Sequence, residues 1–206
     1  MYAKYVKRIL DIIFSFIAIV LLIPVFLILF ILVFVFLGHP VFFKQARVGK
    51  GEKIFNLYKF RTMTDAKDSD GKLLPDCERL TKFGMFLRRL SVDELPQLFL
   101  ILFGKMSFIG PRPLLVEYLD YYSAMERRRH EVLPGLTGLA QVNGRNLLGW
   151  DDRLKKDVFY VDNISFLGDL SIVFSTIKIV LKGSGISDSK CQTMTFLYDE
   201  RKNLYE

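Results

Sequence analysis

The sequence predicts an α+β monotopic membrane protein, with a re-entrant N-terminal membrane helix, a small β-hairpin and several amphipathic interfacial helices. Three observations carry that prediction. Ile9–Leu37 is a run of 29 residues, almost continuously apolar, with Asp11 as its one charge and Pro24 near its centre. Basic residues flank that run on both sides. The later apolar segments have basic edges, and the short ones fall below the roughly 20 residues that a spanning helix needs.

The first element follows from length, proline and charge together. Pro24 removes an intrahelical hydrogen bond and biases Ile23 away from the α region, which predicts a break between Ile9–Ile23 and Val25–Leu37. At 1.5 Å per residue each arm reaches about 20 Å, short of the roughly 30 Å hydrocarbon core. Lys4, Lys7 and Arg8 precede the run; Lys44, Arg47, Lys50 and Lys53 follow it. The positive-inside bias therefore holds both ends on the cytoplasmic side. A helix broken at Pro24 that enters and leaves through one leaflet meets all three conditions, against the alternative of a mildly kinked spanning helix. Asp11 lies one turn after Lys7, so an i,i+4 pair is expected to offset its charge. The run is too long, and lacks the small-residue cleavage site, for a cleavable signal peptide.

A hairpin comes next. Val41–Gln45 and Lys53–Phe60 read as strands around the turn Gly49-Lys50-Gly51-Glu52. Alternation places Phe55, Leu57 and Lys59 on one face and Ile54, Asn56 and Tyr58 on the other, leaving Lys59 and Arg61 at the strand end for phosphate oxygens or for solvent. Residues 65–75 form a polar loop. Asp68, Asp70 and Gly71 hint at calcium, but no Glu occupies the twelfth position, so a turn is expected. Leu80–Leu90 is a basic, apolar segment suited to a headgroup layer. Leu95–Phe103 is apolar and too short to span. Glu117–Glu131 reads as helical, and its end, Glu126-Arg127-Arg128-Arg129-His130, as a solvated or headgroup-facing patch. Trp150 opens a helix through Tyr160, and Ile164–Leu181 is an amphipathic interfacial helix. The polar tail beyond Gly185 reads as a frayed end. The boundaries are 1–38 for the membrane helix, 39–185 for a catalytic domain on the cytoplasmic face and 186–206 for the tail.

Composition narrows the partners. Of 206 residues, 51% are hydrophobic and 25% charged, and the net charge of +7 favours an anionic partner such as a lipid surface, a phosphorylated substrate or nucleic acid. No recognisable nucleic-acid module is present. Cys77 and Cys191 have no CxxC spacing, so neither a disulfide framework nor a zinc site is expected, and His39 and His130 are too few for a His-rich metal centre.

The chemistry centres on Leu90-Ser91-Val92-Asp93-Glu94-Leu95-Pro96-Gln97. Ser91 with Glu94 three residues later is a capping box in sequence, with Asp93 placed to favour a helix dipole. The same two carboxylates follow Arg88-Arg89 and precede an apolar run, which suggests anionic chemistry at a lipid surface. Gly110-Pro111-Arg112-Pro113 fixes φ on either side of Arg112, a useful arrangement for holding a phosphate. The glycine-rich passage Pro134–Gly138 leads to Gln141-Val142-Asn143-Gly144-Arg145, where close backbone approach to a ligand and another anion contact are expected. No GxxxxGK[ST] loop occurs.

Five motifs in fixed order resemble the bacterial sugar transferases, the monotopic phosphoglycosyl transferases. They are Gln45-Ala46-Arg47-Val48-Gly49, Tyr58-Lys59-Phe60-Arg61-Thr62-Met63, Ser91–Gln97, Ser107-Phe108-Ile109-Gly110-Pro111-Arg112-Pro113 and Pro134–Arg145. In size the chain is similar to the small members that act on a UDP-diacetylated bacillosamine-type sugar in protein glycosylation. The resemblance implies transfer of a sugar-1-phosphate from a UDP-sugar, UDP-N,N'-diacetylbacillosamine or a related UDP-HexNAc, to undecaprenyl phosphate. It implies a catalytic Asp93 as nucleophile with Glu94 as its partner, Mg²⁺ as cofactor with Asp93 as a metal ligand, and Lys59, Arg88, Arg112 and Arg145 on substrate phosphates. Pro24 marks the membrane-helix break; here Ile23-Pro24 stands where members often have Ser-Pro. Membrane phospholipid is an expected partner, downstream glycosyltransferases are further ones, and the location implied is the cytoplasmic face of the bacterial inner membrane. The rival reading is a non-catalytic membrane-surface adaptor.

Overall fold

A computed structural model describes residues 1–144, 148–182 and 195–202. Helix α1 covers Lys7–Leu37, preceded by a π-helical turn at Tyr2–Val6. It continues through Pro24, so the expected division into two arms is not an interruption of the helix. Tyr2–Leu37 is long and apolar enough to cross a membrane by length and composition.

Two stripes of α1 pack on the rest of the chain. Ala18, Ile19, Leu22 and Phe26 meet Leu57, Leu98, Ile101 and Met106. Val25, Phe26, Leu29, Val33 and Leu37 meet Val41, Phe60 and Leu87. Polar contacts fix both helix ends. Near the start, Arg8 donates to the carbonyls of Ile101 and Leu102 at 2.6 and 2.9 Å. At the far end, Arg61 donates to the carbonyls of Leu37 and His39, satisfying the carbonyl end of the helix. Arg61 is thereby buried and committed to structure, which corrects its expected availability to phosphate.

The Lys7–Asp11 pair also gives way to tertiary partners. Lys7 bonds Asp169 Oδ2 at 2.6 Å, Tyr2 donates to the same oxygen at 2.6 Å and Tyr160 donates to Oδ1 at 2.8 Å. Asp11 instead accepts from the Phe108 amide at 3.0 Å. A buried carboxylate needs several donors, and the fold supplies better ones than a single neighbouring turn.

Strands β1 (Phe42–Val48) and β2 (Ile54–Phe60) form the expected antiparallel hairpin, with Phe43 opposite Lys59. The side chains of Phe55, Leu57 and Lys59 turn inward and those of Ile54, Asn56 and Tyr58 outward. In the loop that follows, Asp68 accepts from the amides of Asp70 and Lys72, both at 2.9 Å, and so acts as a turn residue. Short helices α2 (Asp76–Arg79), α3 (Lys82–Arg89) and α4 (Gln97–Leu102) lead to β3 (Ser107–Ile109), which pairs in parallel with β4 (Gly135–Thr137). Cys77 lies in a disulfide, which corrects the expectation of none. Sequence spacing carries no information on the distance between cysteines in the fold, and Cys191 lies outside the described residues.

The segment expected as one helix over 117–131 is instead a 3₁₀ stretch at Val116–Tyr121, helix α5 at Ala124–Arg127 and a 3₁₀ turn at Arg128–Glu131. Ser123 caps α5 and restarts the chain direction, which divides the run. After α6 (Leu139–Val142), helices α7 (Trp150–Asp162) and α8 (Phe166–Lys182) follow as expected. Helix α9 (Leu197–Lys202) overturns the frayed-end expectation for its residues. Leu197 is fully buried beside Leu114, Tyr118 and Trp150, and Trp150 Nε1 donates to the Thr195 carbonyl at 2.8 Å. Arg201 bonds Glu126 and Asp151 at 2.6 and 2.7 Å. An apolar anchor, a backbone hydrogen bond and two ion pairs together dock this part of the polar tail.

Candidate active site

Three stretches distant in sequence bring the predicted residues together. The first is the junction between α3 and α4. Helix α3 is capped by Thr81, whose hydroxyl accepts from the Gly84 amide at 2.9 Å. Gly84 allows the helix to lie directly on the chain at residue 62: a Cβ there would sit 1.8 Å from the Thr62 carbonyl oxygen. That approach aligns Arg88, one turn on, to donate through Nε to Thr62 Oγ1 at 3.0 Å. The chain then turns at Ser91, which has φ 56° and ψ 20°, into a 3₁₀ turn over Val92–Glu94. The left-handed residue removes Ser91 from a capping role, and it makes no side-chain cap bond. The capping box expected from Ser91 and Glu94 is therefore absent.

Glu94 points instead at the second and third stretches. Lys59, inward on β2, bonds Glu94 Oε1 at 2.5 Å. Arg112, from the Pro111-Arg112-Pro113 loop, bonds the same oxygen through Nη2 at 2.9 Å. Burial alone would raise the Glu94 pKa, but the charges of Arg112 and Lys59 and their hydrogen bonds outweigh it and hold the carboxyl below the usual range. Glu94 is ionised and its charge is neutralised in place.

Asp93 differs. It is buried, and desolvation pushes its carboxyl above the usual range. Lys59, Arg88 and Arg112 oppose that rise through space, while the adjacent Glu94 charge adds to it. The cations take their direct bonds elsewhere, on Glu94 and Thr62. Asp93 is thus a carboxylate in a positive field with oxygens uncommitted to those cations, which suits attack on an electrophilic phosphorus.

Of the predicted site residues, Asp93, Glu94, Lys59, Arg88 and Arg112 are gathered here. Arg145 lies outside the described residues. Pro24 lies inside the continuous helix α1 and is exposed, between Leu22 and Val25 of the packed stripes, so the helix break expected there is absent. The glycines at 135 and 138 serve a different purpose from the one expected. A Cβ on either would fall 2.1–2.2 Å from backbone atoms of Gly110, so they admit the β3 loop, not a ligand. The charge cluster at 126–130 also departs from expectation, because Arg129 and His130 are buried. Asp157, which receives Arg129, follows 28 residues later and gives no local signal.

No group of three or more candidate metal ligands occurs among the described residues. Asp93 with substrate oxygens is a donor set that Mg²⁺ accepts, since this ion commonly keeps water and uses one or two carboxylates plus phosphates.

A buried carboxylate beside three cations, on a chain packed against one long apolar helix, is an arrangement suited to phosphoryl-group transfer. The chain belongs to the bacterial sugar transferase family, whose model matches residues 2–183. It is 56% identical over 153 residues to the uncharacterized sugar transferase EpsL of Bacillus subtilis, covering 74% of this chain and 76% of the relative. It is 39% identical to UDP-glucose:undecaprenyl-phosphate glucose-1-phosphate transferase of Klebsiella pneumoniae, over 83% of this chain and 39% of that protein. It is likewise 39% identical to UDP-N-acetylgalactosamine-undecaprenyl-phosphate N-acetylgalactosaminephosphotransferase of Aeromonas hydrophila, over 88% and 45%. The aligned region therefore spans less than half of the two relatives whose names state substrates.

Proposed function

We propose that this enzyme transfers a sugar-1-phosphate from a UDP-sugar to undecaprenyl phosphate, giving UMP and undecaprenyl diphosphate-sugar through a covalent intermediate on Asp93. The observation that carries the reading is the division of labour in the dyad: Glu94 takes the direct bonds of Lys59 and Arg112, and Asp93 remains buried with a raised pKa. A more basic carboxylate is the better nucleophile. An Asp93 oxygen attacks the β-phosphorus, the bond from that phosphorus to the bridging oxygen breaks, and UMP leaves with the electron pair. A phosphate oxygen of the lipid then attacks the same phosphorus and releases the Asp93 carboxylate. Lys59, Arg88 and Arg112 hold the phosphoryl oxygens and oppose the charge that develops on them. Glu94 orients Lys59 and Arg112 before substrate arrives. Mg²⁺ would be held by Asp93 together with diphosphate oxygens, and would supply charge neutralisation of the leaving nucleotide.

The setting is a monotopic one at the cytoplasmic face of the inner membrane. Its support is the packing of α1. The rest of the chain holds that helix from Arg8 to Leu37, a helical path of about 45 Å at 1.5 Å per residue. A helix crossing the bilayer would carry part of that packed polar surface into the hydrocarbon. Both ends at one face instead keep Asp93 at headgroup level, where a lipid phosphate and a soluble nucleotide meet. The three relatives named above differ in the sugar their names carry or carry none, so the donor is assigned here as a UDP-sugar class.

The test is a donor screen scored by UMP release, followed by trapping with label in the sugar phosphate. Label on Asp93 with ping-pong kinetics is expected. Sequential kinetics with no labelled enzyme would remove the covalent scheme, and absence of UMP release with every donor would return the protein to an adaptor role.

A further inference from the structure

The loop that carries Arg112 is held by more than its prolines. The carbonyls of Pro111, Arg112, Pro113 and Leu114 each accept from a different donor: the Gly135 amide at 2.9 Å, Arg129 Nη2 at 2.7 Å, Arg47 Nη1 at 3.5 Å and the Val48 amide at 3.2 Å. Among these, the bond to the Arg112 carbonyl comes from a buried ion pair. Arg129 Nη2 and Nε reach Asp157 Oδ2 at 2.7 and 3.1 Å, with side chains 1% and 3% exposed. The Arg129 guanidinium lies 5.8 Å from the Tyr122 ring centroid, and its Nη1 is 3.4 Å from His130 Nε2.

A sealed ion pair is poor value as a stability device, because apolar residues of similar volume often serve as well. What apolar residues cannot supply is a donor to the Arg112 carbonyl. Nη2 carries two hydrogens, one for Asp157 and one for that carbonyl. Asp157 fixes the plane of the fork, and the fork fixes the backbone from which the Arg112 side chain extends to Glu94. A lysine in place of Arg129 could retain the charge but not the planar set of donors.

We propose that the Arg129–Asp157 pair is a positioning device for the reaction: through the Arg112 carbonyl it sets where the Arg112 guanidinium stands, and hence the fit of the donor diphosphate. This rests on the assignment of Arg112 to substrate phosphate. Neither Arg129 nor Asp157 touches substrate in the scheme above.

The experiment uses full-length enzyme in detergent or nanodiscs, with the donor selected by the screen above. Arg129→Lys is expected to raise KM for the UDP-sugar about tenfold with a smaller change in kcat, since small misplacement of a substrate clamp is costly. In an Arg112→Ala background the same change should have little further effect on kcat/KM, because the two residues act through one contact. The double variant Arg129→Met/Asp157→Leu removes both charges together and guards against misfolding of the single variant. It should melt near wild type and show the same rise in KM. Hydrogen exchange of the 110–114 segment should quicken in both variants, a readout independent of the chemistry. If exchange is unchanged, or if Arg129→Lys multiplies the Arg112→Ala loss in full, the positioning role is overturned. If exchange quickens but the wild type releases no UMP, the proposed reaction is what fails, and the loop-holding part of the inference stands.

Discussion

The chain contains two stretches of the same Ser-x-x-Glu pattern, Ser91-Val92-Asp93-Glu94 and Ser123-Ala124-Met125-Glu126, and the fold uses them in opposite ways. At 123–126 the serine hydroxyl accepts from the Glu126 amide at 3.3 Å and Glu126 returns to the Ser123 amide at 2.7 Å, a complete capping box. At 91–94 the serine is left-handed, makes no cap, and Glu94 turns away to Lys59 and Arg112. Local pattern offers the same reciprocal bonds in both places. Two cations delivered by β2 and by the Arg112 loop outbid a backbone amide at one of them, because charge-assisted bonds are the stronger kind. The difference teaches that a motif next to guanidinium groups is decided by what the rest of the chain brings to it.

The sharpest way to break the comparison is Asp93→Asn. Loss of the nucleophile should reduce UMP release by about 10⁴-fold or more, and no label should be trapped. The same variant should melt higher than wild type at neutral pH. Asp93 has a raised folded pKa, so its contribution to stability is full below the unfolded carboxylate value and lost as pH rises through the folded one. Removing the ionisable group removes that loss. A variant that keeps turnover would return Asp93 to the ordinary first turn of a helix.

Glu94→Gln is next in size. Glu94 has a depressed folded pKa; its stabilisation is present above the unfolded carboxylate value and disappears as pH falls through the folded one. The variant should therefore melt lower than wild type at neutral pH, by about 1–3 kcal/mol, with the gap narrowing in acid. Arg112 is 42% exposed at its side chain, so water takes part of the released charge and the loss should stay below that of a sealed pair. Turnover should fall about 10–100-fold as Lys59 and Arg112 lose their orientation. Melting at several pH values alongside UMP release checks both. Opposite signs for neighbouring carboxylates are the signature of the division proposed here.

What could be read from the sequence divides along the same line. The hairpin, its inward Lys59, α3, α7 and α8 follow from periodicity and turn residues, which are local. The gathering of Asp93, Glu94, Lys59, Arg88 and Arg112 follows from motif order, not from any spacing. Three of the departures are cases in which a distant partner claims a side chain: Lys7 goes to Asp169 and not Asp11, Arg61 closes α1, and Arg129 is buried on Asp157. Two others are local, the continuation of α1 through Pro24 and the division of 117–131 at the Ser123 cap. Arg129 looked solvated because four neighbours are charged, and charge runs are commonly surface. Its burial depends on a residue in another helix, a relation that one sequence does not display.

The next comparison is direct. Ser123→Ala should lower stability by about 1 kcal/mol, the usual value of a cap, with turnover per folded molecule unchanged. Thermal melting and UMP release on one preparation would show it. A larger loss would mean that the α5 junction supports Arg129 and His130 more strongly than its own hydrogen bonds imply.

Ser91→Gly should have the smallest effect and the opposite sign. A serine at φ 56° bears a steric penalty of roughly 1–2 kcal/mol that glycine avoids. Glycine returns about 0.4–1 kcal/mol of that gain through the greater freedom of the unfolded chain. The net expectation is a rise in stability of roughly 0–1.6 kcal/mol, where a working N-cap would have shown a small loss. The turn conformation that aims Glu94 at Lys59 and Arg112 is one glycine adopts freely, so kcat should change little. If Ser91→Gly instead melts lower while Ser123→Ala does not, the two stretches have been assigned the wrong way round, and the left-handed turn is no longer the reason that the dyad faces its cations.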